Sequence, residues 1–165
     1  MRIVFWLLLP AGVLALAITL FVKLVLVHES GRRRLFPVLR PLYKRMNPGN
    51  VRAVQRGHSR WAVVHHVGRR SGRPYDTPID SQRTPDGVII CLVYGAGADW
   101  CRNILAAGHC TVTLGDGEVL QLTSPEVITL ESAEPQLAPE RAKFWRTIGI
   151  EHCLALKLSP MAVAG

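Results

Sequence analysis

The chain is poor in cysteine and has no closely spaced pair. Cys91, Cys101, Cys110 and Cys153 include no CxxC and no metal-ligand spacing with the histidines, so no structural metal is expected and the four are read as reduced core residues. There is no GxxxxGK followed by Ser or Thr and no dinucleotide fingerprint, which sets aside the phosphate loops of the common nucleotide folds. Internal repeats and low-complexity tracts are also missing. Acidic residues are unevenly spread: residues 1–27 carry none, residues 28–60 carry nine Lys/Arg against one acid, and residues 61–165 nine Lys/Arg against eleven acids. The net charge of +8 therefore belongs to one segment. That segment has no basic recognition helix, zinc-finger spacing or aromatic-rich basic strand, so nucleic acid is not an expected partner.

What is present falls into three parts. Residues 3–22 are uncharged, broken only by Pro10, and 24–27 extend the run past Lys23. Twenty helical residues at about 1.5 Å each match a hydrocarbon layer of roughly 30 Å. The expectation is a transmembrane anchor over 1–28. A cleaved signal peptide is the competing reading, with 15–17 as its small-residue site, but the apolar run continues ten residues beyond it. An in-plane helix would need a polar face that the run lacks. Only Arg2 precedes the run, whereas Arg32, Arg33, Arg34, Arg40, Lys44 and Arg45 follow it, so the remainder is expected on the cytoplasmic side of a single-pass membrane protein. Residues 29–60 form a basic juxtamembrane linker suited to anionic headgroups, with a short amphipathic helix over 36–46 and a turn at 47–50.

The third part, 61–165, changes period. WAVVHHV (61–67) reads as a strand, YDTPIDSQR (75–83) as a weaker one, and the turn at 84–87 leads to VIICLVY (88–94), together an antiparallel meander. DWCRNILAAG predicts a helix of about two turns with Asp99 as N-cap and Gly108 as its stop. Two strands joined at 115–117 follow, then a helix opened by Pro139 and closed by Gly149. Five or six antiparallel strands with one inserted short helix predict a mainly β (α+β) domain, a small closed or split β-barrel.

Function is then sought in the turns. VGRRSGRPYDTP (67–78) places Arg69, Arg70 and Arg73 around Ser71, with Gly68 and Gly72 free to take positive φ or admit a ligand closely. An oxyanion cradle is one reading and a solubilising turn the other. In YGAGADWCRN (94–103) a strand leaves through two glycines and enters a helix, where backbone N–H groups can meet an anion and Trp100 can stack on a flat ring. Its plain alternative is a connection with Asp99 as cap and Trp100 as core. One cationic turn and one aromatic-bearing turn together suit a flat, phosphorylated cofactor.

GRRSGRP followed by a TP dipeptide, then YGAGADWCRN and LAAG, resembles the deazaflavin-dependent nitroreductase family, split-barrel oxidoreductases that use coenzyme F-420. The likeness spans about residues 33–158. It implies a split β-barrel of the FMN-binding type, often dimeric. It places Gly68, Arg69, Arg70, Ser71, Gly72, Arg73 and Pro74 at the cofactor phosphate, and Tyr94, Gly95, Ala96, Gly97, Trp100 and Asn103 at the deazaflavin ring and ribityl chain. Asp99 and Arg102 are structural. The family pattern here is longer and often has a tyrosine after the tryptophan, where this chain has Cys101; after Leu130 there is no tyrosine, so nitroimidazole reduction is not carried over.

The implied chemistry is hydride transfer from reduced coenzyme F-420 to an organic acceptor, a small molecule or, given the anchor, a lipophilic one such as a quinone. No side chain has to be a nucleophile, and the catalytic residues are unknown. His65, His66 and Tyr94 are the titratable groups nearest the two turns, and adjacent His65 and His66 must face opposite sides of a strand. FMN in place of the deazaflavin, and a carrier barrel that binds a cofactor or lipid without turnover, remain as alternatives.

Overall fold

In the computed structural model, which describes residues 51, 52, 54 and 61–160, the chain from Trp61 onward alternates short strands with three short helices. The elements are β1 (Ala62–Val67), β2 (Pro74–Ile79), β3 (Ser81–Thr84), β4 (Gly87–Cys91), α1 (Asp99–Ala107), β5 (His109–Thr113), β6 (Val119–Thr129), α2 (Leu130–Ala133), a 3-10 turn (Glu134–Gln136), α3 (Pro139–Thr147) and β7 (His152–Leu158). The expected anchor and, apart from Val51, Arg52 and Val54, the basic linker lie outside the described residues, and with them the boundaries drawn at 28 and 60. Among the described residues no helix is long and apolar enough to cross a membrane.

All seven strands form one antiparallel sheet in the order β2-β1-β5-β6-β7-β4-β3. Its two edge strands, β2 and β3, are consecutive in the chain, separated only by Asp80. Flat, seven strands would set the edges about 29 Å apart at roughly 4.8 Å per step. One intervening residue spans no more than about 7.6 Å. The sheet must therefore curl until its edges approach at Asp80, yet β2 and β3 do not pair, so the result is a half-barrel left open along that seam. Curling is aided in β6, where the register shifts between Thr123 and Glu126 and Ser124 takes φ 53, a bulge that bends the strand.

This arrangement corrects several sequence expectations. Residues 75–83 are two strands at opposite edges, and the meander is absent because β4 pairs with β3 and β7. Arg141 of α3 hydrogen-bonds the Asp80 carboxylate at the break. Pro74 and Pro78 fit an edge strand, since neither has an N–H to donate. There are seven strands, because the chain after the last helix returns as β7 into the middle of the sheet. The strand expected over 88–94 stops at Cys91. Asp99 is the first residue of α1, preceded by Ala98 as N-cap without a side-chain cap bond, while Gly108 ends the helix in the left-handed region as expected.

Two apolar layers hold these elements. Val64, Val88, Ile90, Val112, Leu122 and Leu154 fill the concave side with Cys101 and Ile104 of α1. Ile89, Cys91 and Cys153 face the other way and are covered by Leu130, Trp145 and Ile150 of the α2–α3 segment. β4 is buried along its whole length, which is why its sequence is a continuous apolar run. Each fully buried Leu, Ile or Val contributes about 1.5–3 kcal/mol. All four cysteines are free and buried. Cys91 and Cys153 are register partners in β4 and β7 with sulfurs 3.0 Å apart. Contact with Cys153 and then burial push the Cys91 thiol up, and burial pushes Cys101 to about 11 and Cys110 to about 12, so these thiols stay protonated.

Candidate functional site

The β1–β2 turn closes on itself first. Gly68 N–H donates to the Arg73 carbonyl at 2.8 Å, and Gly72 N–H donates to the Gly68 carbonyl at 2.8 Å. Gly72 takes φ +63, the left-handed region, with open space where a Cβ would be. Gly68 is constrained for a different reason: a Cβ there would lie 2.5 Å from Ser71 Oγ and 2.7 Å from Tyr75 Cε2, so both side chains would have to move. Ser71 Oγ lies 3.3 Å from the Tyr75 hydroxyl and accepts the Arg73 N–H at 3.4 Å. Pro74 then begins β2.

The second motif lies against the first. After β4 the chain turns through Tyr94, Gly95, Ala96 and Gly97, with Gly95 at φ 71 and its N–H on the Leu92 carbonyl at 2.9 Å. Ala96 and Trp100 pack against the concave core, so the indole is partly buried under α1. Arg69 reaches across to α1. Its backbone N–H and its Nη1 both donate to Asn103 Oδ1, at 3.2 and 2.8 Å, and its Nη2 lies 3.3 Å from Asp99 Oδ1. Residues thirty and more apart in sequence are thus one unit.

The charges within that unit divide into two groups. Arg69, with its side chain 19% exposed, is held by Asp99 and Asn103. Arg70 and Arg73 are exposed, and their side chains make no hydrogen bond or ion pair with a described residue. The turn therefore carries two exposed guanidiniums on residues that flank Ser71, a donor set suited to a phosphate or carboxylate.

A buried network beneath the turn extends the site beyond the motifs. Asn103, 6% exposed, has its Nδ2 3.2 Å from His66 Nδ1, and His66, 8% exposed, has its Nε2 3.1 Å from Thr77 Oγ1. The Tyr75 ring stacks on His66 with centroids 5.7 Å apart. Burial lowers the His66 pKa below the ordinary imidazole value; Asp76 opposes this and His65 adds to it. His65 faces the other side, between Asp76 Oδ1 at 2.7 Å and Thr113 Oγ1 at 2.9 Å. The signal for His66 was in the alternation of Ala62, Val64 and His66, which carries it onto the core face.

An open depression of about 520 Å³ lies elsewhere, between Thr129, Glu131, Glu134, Arg146, Ile150 and Glu151. Three carboxylates against one arginine, itself paired with Glu134, make it a poor place for a phosphate. None of the sequence-predicted site residues lines it.

No family model and no curated protein matches the chain. Among solved structures it is similar to a protein of unknown function from Agrobacterium tumefaciens str. C58, with 20% identity, a TM-score of 0.42 and coverage of 68% of this chain and 56% of that one. It is similar also to an F-420 reductase (9% identity, TM-score 0.44, 60% and 86% covered) and to the heme storage protein HutZ from Vibrio cholerae (8%, 0.43, 67% and 89%). This chain thus spans little more than half of the first of them. At such identities and TM-scores the neighbours, named for different ligands, carry no argument about what this chain binds.

Proposed function

We propose that this chain is a split-barrel oxidoreductase of the deazaflavin-dependent kind, which binds coenzyme F-420 and passes a hydride to a lipophilic acceptor at a membrane. One observation carries the reading: the 68–73 turn and the 94–103 segment meet through Arg69, and the contact leaves Arg70 and Arg73 uncommitted beside it.

The residues fit a phosphorylated ring cofactor. Arg70, Arg73 and Ser71 would hold its phosphate, with open space at Gly72 for close approach. Gly68, Arg69, Asn103 and Asp99 keep the turn against α1, a shaping role distinct from direct contact. Tyr94, the 95–97 backbone and the accessible part of Trp100 would border the ring, and Pro74 stiffens the exit of the turn. Bound in reduced form, the deazaflavin supplies the hydride. The protein's part is orientation and exclusion of water, which requires no nucleophilic side chain. FMN carries the same phosphorylated chain and is the competing ligand.

Fluorescence titration of the full chain with coenzyme F-420 and with FMN tests the reading. Saturable binding of F-420, weakened by Arg70→Ala, is expected; failure of both ligands to bind overturns it. The apolar run at 3–22 supports the lipophilic acceptor. In vesicles, oxidation of the reduced cofactor by a menaquinone analogue should fall when residues 1–30 are removed, and unchanged turnover would eliminate the membrane-delivered acceptor.

A further inference from the structure

The two ends of the buried Asn103 amide face chemically different neighbours. Its Oδ1 accepts two donors from Arg69, the backbone N–H at 3.2 Å and Nη1 at 2.8 Å. Reversing the amide would set its NH₂ against both, so Oδ1 must face Arg69 and Nδ2 must face His66. Nδ2 is only a donor, and it meets His66 Nδ1 at 3.2 Å, so Nδ1 must offer a lone pair. The ring proton then sits on Nε2, directed at Thr77 Oγ1 3.1 Å away. A guanidinium that is always charged thereby fixes, through one amide, the tautomer and the neutrality of a buried imidazole.

We propose that Asn103 and His66 are positioning residues that fasten the 68–73 turn to α1 only while His66 is neutral, so that anion binding at Arg70 and Arg73 weakens when His66 takes up a proton. Both imidazole nitrogens are then donors. Nδ1–H opposes Asn103 Nδ2, and the conflict is relieved only by turning the amide, which strands the Arg69 N–H and leaves Nη1 only the Asp99 carbonyl at 3.4 Å, or by moving the ring away. Either outcome loosens the tie.

The groups around the ring set where this happens. On β1, His65 lies on the opposite face and its charge disfavours a second one; on β2, Asp76 favours protonation, Tyr75 stacks and Thr77 accepts. From the turn and α1 come Arg69 and the Asp99 carboxylate that pairs with it. β5 brings Cys110 into the core cluster that also holds Ala62 and Val64 of β1, its thiol neutral because burial raises it to about 12. Burial is the largest influence and holds the imidazole neutral below its ordinary range. The device also depends on an amide at position 103, because a carboxylate there would accept from both Arg69 and a protonated His66.

The tie itself is independent of the cofactor, whereas its effect on anion binding rests on the function proposed above. The test uses the full chain in detergent micelles with nitrogen-15 labelling from pH 8 to 5. Long-range proton–nitrogen spectra should show the Nε2–H tautomer of His66 at pH 8. As the ring protonates, amide protection factors of Gly68 and Gly72 should fall by about tenfold. Asn103→Asp should raise the His66 titration midpoint and abolish that fall. An Nδ1–H tautomer, or titration of His66 with unchanged protection in the turn, overturns the proposal, and the native chain alone decides this if the variant does not fold. FMN and F-420 quenching over the same range separates the two readings. Binding that falls with His66 protonation supports the proposal, and pH-independent binding overturns it. A responsive turn that binds neither ligand sinks the cofactor assignment and its anion-binding consequence while leaving the tie.

Discussion

Two glycine-bearing turns in this sheet obey the same local rules and end differently. The 68–73 turn and the 114–118 turn each join antiparallel partners, and each has a glycine at positive φ, Gly72 at 63 and Gly117 at 94. The second is closed by its own chain: Leu114 N–H on the Glu118 carbonyl, Gly117 N–H on the Leu114 carbonyl and Glu118 N–H on Asp116 Oδ1. Beyond itself it packs Leu114 against the core, and its polar reach is the exposed ion pair of Arg83 with Glu118 at 3.7 Å, the kind that contributes little. The first adds a buried polar tie to a helix thirty residues away. Burying polar groups is costly unless every one is paired, and here they pair only in one mutual geometry. A turn held in that way keeps the backbone that carries Arg70 and Arg73 against α1, which a merely local turn does not.

The comparison is broken or sharpened most strongly at the tie. Asn103→Leu should cost about 3 kcal/mol, because the half-buried Arg69 N–H and the buried His66 lose their partner, whereas Asp116→Ala in the local turn should cost about 0.5 kcal/mol. Urea midpoints decide it, and similar losses at the two positions would make the turns equivalent. Next come the glycines. Gly68→Ala meets Ser71 and Tyr75 within 2.7 Å and should cost about 2 kcal/mol, while Gly117→Ala, with nothing within 4 Å, should lose about 1 kcal/mol through its φ alone.

A smaller effect is expected from pH. The His66 pKa is lowered by folding, so its contribution is complete above the unfolded imidazole value of about 6.5 and is lost as pH falls through the folded value. Urea midpoints followed downward from pH 7 should decline, and less so in a His66→Gln chain; a parallel decline in both removes His66 as the cause. The smallest stability change belongs to Arg70→Ala, below about 0.5 kcal/mol. Under the proposed function, the same substitution should weaken F-420 binding about tenfold through loss of a charge-assisted contact.

Several elements were legible because local chemistry and tertiary role agree. β1 is a β-branched apolar run, α1 stops at Gly108, and Pro139 opens α3. β7 was not legible: HCLALKL contains no β-branched residue and is built from helix formers, yet pairing with both β4 and β6 makes it a central strand. The break at Asp80 was equally hidden, since nothing in IDSQ forces a stop. The chain changes edges there because the sheet has curled, and the arginine that holds Asp80 is supplied by α3. Within the candidate site both motifs were readable, but the different tasks of Arg69 and its neighbours Arg70 and Arg73 were not.

The sequence alone determined the mainly β character, the concentration of positive charge in residues 28–60, and the two glycine-bearing turns, one rich in arginine and one bearing an aromatic residue. Backbone preference and hydrophobic period are properties of neighbouring residues, so they can be read without a fold. Only the tertiary structure decided that β2 and β3 are opposite edges, that β7 completes the sheet, and that Asn103 joins Arg69 to His66. Those outcomes depend on which donors and acceptors meet across the curled sheet, and hydrogen bonds between residues thirty or more positions apart leave no mark in local periodicity.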